Sequence, residues 1–214
     1  MMDRTYIISD YSIIRNNQVI LGGNVLFELH ESQVTSFFTA IYKRFNMNYQ
    51  KFYKMDNLCK LGFLAAEVLL MGKDITQRYR GQQTGVILSN AASSIDTDRN
   101  HQLSINDRNN YFPSPSVFVY TLANIVIGEI CIRHKFYGES TFFIERHFNT
   151  GRLYNYVKQL LDDCLIDCCI CGWNEMDGKD YEAVLFLVEK STSHNDGIAI
   201  FESGYMNNIY MHRS

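Results

Sequence analysis

The sequence predicts an α/β layered domain: a mixed, mostly parallel sheet covered by helices. Two observations carry this. Strand-like and helix-like segments are interleaved along the chain. Several strand segments are apolar throughout, as in a sheet with both faces covered. The 214 residues suffice for one substantial core and show no linker or repeat, so residues 1–214 read as a single domain.

Taken in order, Tyr6–Ser9 and Gln18–Leu21 read as short strands, with a turn at Asn16-Asn17. Residues 31–50 suggest an irregular helix rich in aromatics. A helix from Asp56 to Leu70 follows from the spacing of Leu58, Leu61, Ala65, Val68 and Leu69, with Gly72 as its stop. Thr84–Ser89 is a buried strand. Residues 90–112 read as a long polar loop, including Asn110.

Ser114-Pro115 opens another helix, with Phe118, Leu122, Ile125, Val126 and Ile130 on one face. Thr141–Ile144 is a strand. Asn149 or Thr150 caps a helix whose buried stripe is Leu153, Val157, Leu160, Leu161 and Cys164. Strands follow at Ile166–Cys171, Ala183–Val188 and Ile198–Phe201, and residues 205–214 show no pattern.

Composition excludes several functions. The net charge is −3, and no Lys/Arg run offers a nucleic-acid or polybasic membrane footprint. No apolar run approaches the ~20 residues of a membrane span. Met1–Thr5 leads into a strand rather than a signal-peptide core, which places the protein in the cytoplasm. Cys164, Cys168, Cys169 and Cys171 crowd together. Neighbours on a strand point apart, however, so they read as core thiols and no metal is expected. There is no Walker loop, Gly-x-Gly-x-x-Gly, zinc helix, EF-hand or nucleophile elbow, and no cofactor is expected.

Three segments resemble the N-terminal half of the β-ketoacyl synthases, which have the thiolase fold. Lys54-Met55-Asp56 runs into Leu64-Ala65-Ala66-Glu67-Val68-Leu69. Pro115–Asn124 continues through Gly128-Glu129 to Gly138-Glu139-Ser140. Phe148-Asn149-Thr150-Gly151 precedes a helix and then Asp167–Glu175. The resemblance covers about residues 50–190 and implies a thiolase-like half-fold.

The resemblance also shows what is missing. Counting back from Gly151 puts Phe148 where the family has its nucleophilic cysteine, and none of Glu145, Arg146, His147 or Asn149 is a cysteine. A helix N-terminus stabilises a thiolate, and its N–H groups hold an oxyanion; Phe148 offers no nucleophile. The family's second half supplies two catalytic histidines, and His30, His101, His134, His147, His194 and His212 match no motif from it.

The expected role is therefore a non-catalytic partner subunit of a fatty-acid or polyketide synthase. It resembles the chain-length factors, including those of aryl-polyene systems, which pair with an active ketosynthase. The chain would form a homodimer, or a heterodimer with such an enzyme, and would meet an acyl carrier protein. Dimerisation would use the strand Thr141, Phe142, Phe143 and Ile144. The competing expectation is an acyl-thioester enzyme using Glu145 and His147 as acid and base. Arg146 would then bind a phosphopantetheine phosphate or a carboxylate, with Asn149 and Thr150 beside the substrate. A third expectation is a degenerate product that folds without a role.

Overall fold

The computed structural model describes residues 5–30, 33–107, 109, 113–191 and 197–212. Of the sequence expectations, Met1–Arg4, Glu31, Ser32, Asn110, His194 and the last two residues lie outside them.

The chain begins with a meander of β1 (Tyr6–Arg15), β2 (Gln18–Leu21) and β3 (Asn24–Glu28). Asn16 and Asn17, at φ 51° and 60°, form the turn between the first two. A two-residue hairpin turn with both φ positive matches the right-handed twist of its strands, and asparagine tolerates it. Next come α1 (Val34–Arg44), a 3-10 turn at Gln50–Lys54, α2 (Asn57–Leu70) and the single turn α3 (Ile75–Arg78). Asp56 caps α2, its Oδ1 accepting the Cys59 N–H at 2.9 Å.

After β4 (Thr84–Asn90) come α4 (Ile95–Ile105), α5 (Pro115–Val119) and α6 (Ile125–His134). The chain then forms β5 (Ser140–Ile144), α7 (Thr150–Asp162), β6 (Cys168–Asp177), β7 (Asp180–Lys190), β8 (Ala199–Ile200) and α8 (Ser203–Met211).

The strands make one mixed sheet in the order β3-β2-β1-β7-β6-β4-β5, with β8 beside β1. In its central part β1, β6, β4 and β5 run the same way and β7 runs against them. Pair by pair among the described strands, the β4–β5 and β4–β6 ladders are parallel, and the hairpin partners, β7 and β8 supply the antiparallel ones.

Helices α1, α2 and α6 cover one face, and α7 and α8 cover the other. The alternation along β6 sorts side chains between these cores. Cys168 and Ile170 enter the first, while Cys169, Cys171 and Trp173 enter the second. None of the six cysteines is in a disulfide. Burial pushes the thiol pKa of Cys59, Cys168 and Cys169 well up, so these side chains serve as neutral core groups.

Three expectations need correction. The polar stretch 90–112 contains α4 rather than being loop throughout. Asp96 and Asp98 favour the positive end of that helix. Polar bonds replace an apolar stripe in holding it: Thr97 Oγ1 donates to Asp56 Oδ2 at 2.6 Å, and Ser94 Oγ donates to the Thr121 carbonyl at 2.7 Å.

The helix opened by Ser114-Pro115 is also not continuous to Ile130. It breaks into α5 and α6 where Thr121 Oγ1 donates to the Phe118 carbonyl at 2.7 Å and the Tyr120 hydroxyl turns inward to donate to Glu129. Phe118 and Leu122 are left exposed. Finally, Cys164 is exposed, outside the buried stripe of α7. It sits just past the helix at φ +56°, and the N–H of Leu165 returns to the Leu160 carbonyl, a left-handed helix stop.

Candidate functional site

The parallel strands β4 and β5 end together at Asn90 and Ile144, while β6 runs on to Asp177, and the C-terminal side of such strands is where open α/β sheets place ligands. From Ile144 the chain crosses this end through residues 145–149 into α7. The Glu145 N–H donates to the Asn90 carbonyl at 2.8 Å, pinning the crossing to the end of β4. Asn149 is the N-cap, its Oδ1 accepting the Arg152 N–H at 3.0 Å.

Phe148 immediately precedes the cap and is only 5% exposed. Its ring lies 5.7 Å from Trp173 and 5.1 Å from Tyr210, and is stacked at 6.5 Å from Phe186. Phe148 and Leu153 of α7 share the same core, an apolar staple that fixes how the chain enters the helix. The start of α7 thus carries a filled aromatic plug.

The other site residues fall around that plug. Glu145 is ion-paired with Arg152, Oε1 to Nε 2.5 Å. Arg146 and His147 are exposed, and no hydrogen bond or ion pair joins Glu145 to His147 among the described residues. Thr150 is buried at the first position of α7. On β5, Thr141 Oγ1 meets the Tyr156 hydroxyl at 3.0 Å, Phe143 packs edge-on against Tyr156, and Phe142 joins the α2 side of the core. Ile144 is 55% exposed, and β5 is the last strand of the sheet.

No thiol stands at the start of α7 among the described residues. Cys164 is past its far end, and Cys169 and Cys171 are buried in the sheet. Nor does any group of three or more His, Cys, Asp or Glu among those residues gather where it could hold a metal ion.

Sequence reasoning missed three contributors. Tyr210 belongs to the patternless tail. Gly172 lets β6 and β7 approach so closely that a Cβ there would sit 2.1 Å from the Val184 carbonyl oxygen. Glu175 accepts the N–H groups of Ala91 at 2.6 Å and Ala92 at 3.1 Å, which holds the turn after β4. The Gly172-Trp173-Asn174-Glu175 run was the available signal for the last two.

No family model matches the chain, and no curated protein does. Solved structures do match. The ishigamide ketosynthase/chain length factor superposes with a TM-score of 0.67 at 15% identity, over 92% of this chain and 65% of that one. The fold is a ketosynthase fold. A type II polyketide synthase ketosynthase, bound to the hexaketide and in complex with its acyl-carrier protein, matches with a TM-score of 0.65 at 11% identity, over 88% of this chain and 63% of that one. The ketosynthase ApeO in complex with its chain length factor ApeC, from Xenorhabdus doucetiae, matches with a TM-score of 0.53 at 13% identity, over 88% and 80%.

The chain thus spans less than two thirds of the first two ketosynthase-fold proteins. At these identities the likeness establishes the thiolase-like layered architecture. Among the described residues, no helix of this ketosynthase-like chain is long and apolar enough to cross a membrane.

Proposed function

We propose that the chain is a non-catalytic ketosynthase-like subunit, a single domain that works in the cytoplasm beside an active ketosynthase of a fatty-acid or polyketide synthase, including the aryl-polyene type. The observation that carries this is Phe148. It occupies the place before α7 where the resemblance puts a cysteine, and it is locked between Trp173, Phe186 and Tyr210. A ring held this way supplies shape, whereas a condensing enzyme needs an accessible thiolate there.

The structural neighbours that carry a chain length factor support the same role, as does the one in complex with its acyl-carrier protein. In this reading the strand Thr141–Ile144 faces the partner. Arg146, at the exposed start of the crossing, together with Asn149 and Thr150 lies nearest to an incoming acyl-phosphopantetheine. The competing acid–base reading gains no support from the geometry, because Glu145 is engaged by Arg152 rather than by His147.

The test is co-expression with a type II ketosynthase and its carrier protein. The expected result is co-purification of the two chains and a change in product length. No complex and an unchanged product would overturn the proposal, as would thioester turnover by the chain alone that His147→Ala abolishes.

A further inference from the structure

At the other end of the sheet, away from Phe148, lies a groove of about 810 Å³. It runs between the C-terminal ends of α2 and α6, the 45–48 connection and α3. Its volume falls in the range of small-molecule sites, about 300–1,000 Å³. The floor is apolar, made by Leu70, Met71, Ile75 and Phe136.

The charges around it are arranged asymmetrically. Glu67, 10% exposed, is held by Arg133 (Nε to Oε1 2.9 Å, Nη2 to Oε2 3.3 Å), and His134 Nε2 lies 3.0 Å from its Oε1. Its negative charge is therefore offset by the Arg133 guanidinium. Burial alone would raise the Glu67 pKa, but His134 and Arg133 outweigh it and hold the group ionised.

Lys73 is spent on Asp10 at 2.7 Å. Lys135 is exposed on the groove wall and forms no ion pair among the described residues. Its backbone is fixed at φ +57° as the stop of α6, and a Cβ on Gly81 would lie 2.3 Å from its carbonyl oxygen. Among the described residues, the groove thus offers one cation outside any ion pair, Lys135, poised at the edge of an apolar floor.

We infer that this groove binds an amphipathic monoanion, a carboxylate on an aliphatic tail, with Lys135 at the head and Leu70, Met71, Ile75 and Phe136 along the tail. One free ammonium matches one carboxylate, and a dianionic phosphate would lack a second counter-charge. The site is separate from the start of α7, so the inference stands apart from the partner-subunit proposal.

The test is titration calorimetry of the intact chain with dodecanoate below its micellar concentration, with dodecyltrimethylammonium as the cationic comparison. Saturable 1:1 binding of the carboxylate but not of the ammonium is expected. Lys135→Glu should weaken binding about tenfold or more, the scale of one lost charge-assisted bond. Met71→Trp, at a solvent-accessible position of the floor, should block it by filling the groove. The inference is overturned if dodecanoate does not saturate, if the ammonium binds equally well, or if both variants fold and keep the wild-type affinity.

Discussion

The ring of Phe148 lies 5.7 Å from that of Trp173, tilted by 39°, so the start of α7 is anchored directly to β6. Tyr210 and Phe186 close the cluster. If the plug is structural, Phe148→Ala removes a buried aromatic and leaves a cavity under α7. A loss of about 3–5 kcal/mol is expected, read as a lower urea midpoint at an unchanged slope. A loss below about 1 kcal/mol would mean that the ring is dispensable for packing, and the reading of this site as retained shape would fail.

Gly172 makes a second, sharper demand. Its φ of +157° and the position of Val184 leave no room for a side chain, since a Cβ would also lie 2.9 Å from the Leu185 Cα. Both clashes are with backbone, which cannot swing aside as a flexible side chain could. Gly172→Ala is expected to cost about 3 kcal/mol or more, through strain and a forced separation of β6 from β7. Denaturant unfolding checks it. Gly178→Ala, where a Cβ meets nothing within 4 Å, is the comparison for a glycine whose only constraint is its φ of +63°.

Two carboxyls should give the stability profile opposite slopes in acid. Burial would raise Glu67, but His134 and Arg133 hold it below its ordinary 4.5. Its contribution is therefore present above that value and lost as pH falls through the folded pKa. Asp56 is raised above its ordinary 3.8 by burial, against the opposing bonds from Thr97 and Cys59. Its penalty appears as pH rises from 3.8 through the folded value. Glu67→Gln should fall in stability less steeply than wild type below pH 4.5. The stability of wild type relative to Asp56→Asn should decline as pH rises from 3.8. Urea melts at stepped pH would show either slope reversed if the assignments are wrong.

Where periodicity and turn chemistry act locally, the fold was legible in the sequence. Asn16-Asn17, helix α2, the fully buried β4 and a cap of α7 at Asn149 or Thr150 all follow from neighbouring residues. What escaped depends on partners distant in sequence. α4 has no apolar stripe and is held instead by bonds to Asp56 and the Thr121 carbonyl. α8 is fastened by Arg15, whose Nη1 donates to the Tyr210 carbonyl at 2.9 Å and whose Nη2 reaches that of His212. At the candidate site the sequence pointed to Phe148 but not to its neighbours. Trp173, Phe186 and Tyr210 meet it only after β6, β7 and α8 have packed.

The free edge of β5 bears on assembly. β5 pairs with β4 alone among the described strands, so its outer side presents unpaired backbone groups beside the exposed Ile144. Such an edge recruits another strand unless charge or cover blocks it, and lysine is an effective block. Pairing of β5 with the same strand of a second chain, or with that of a partner, would satisfy those groups. Ser140→Lys and Ile144→Lys lie at exposed ends of the strand and should leave the fold intact by circular dichroism. Each is expected to shift the light-scattering mass at micromolar concentration from dimer toward monomer. A wild-type chain that is already monomeric with no partner-ketosynthase binding, or a dimer indifferent to both substitutions, would remove β5 from the interface.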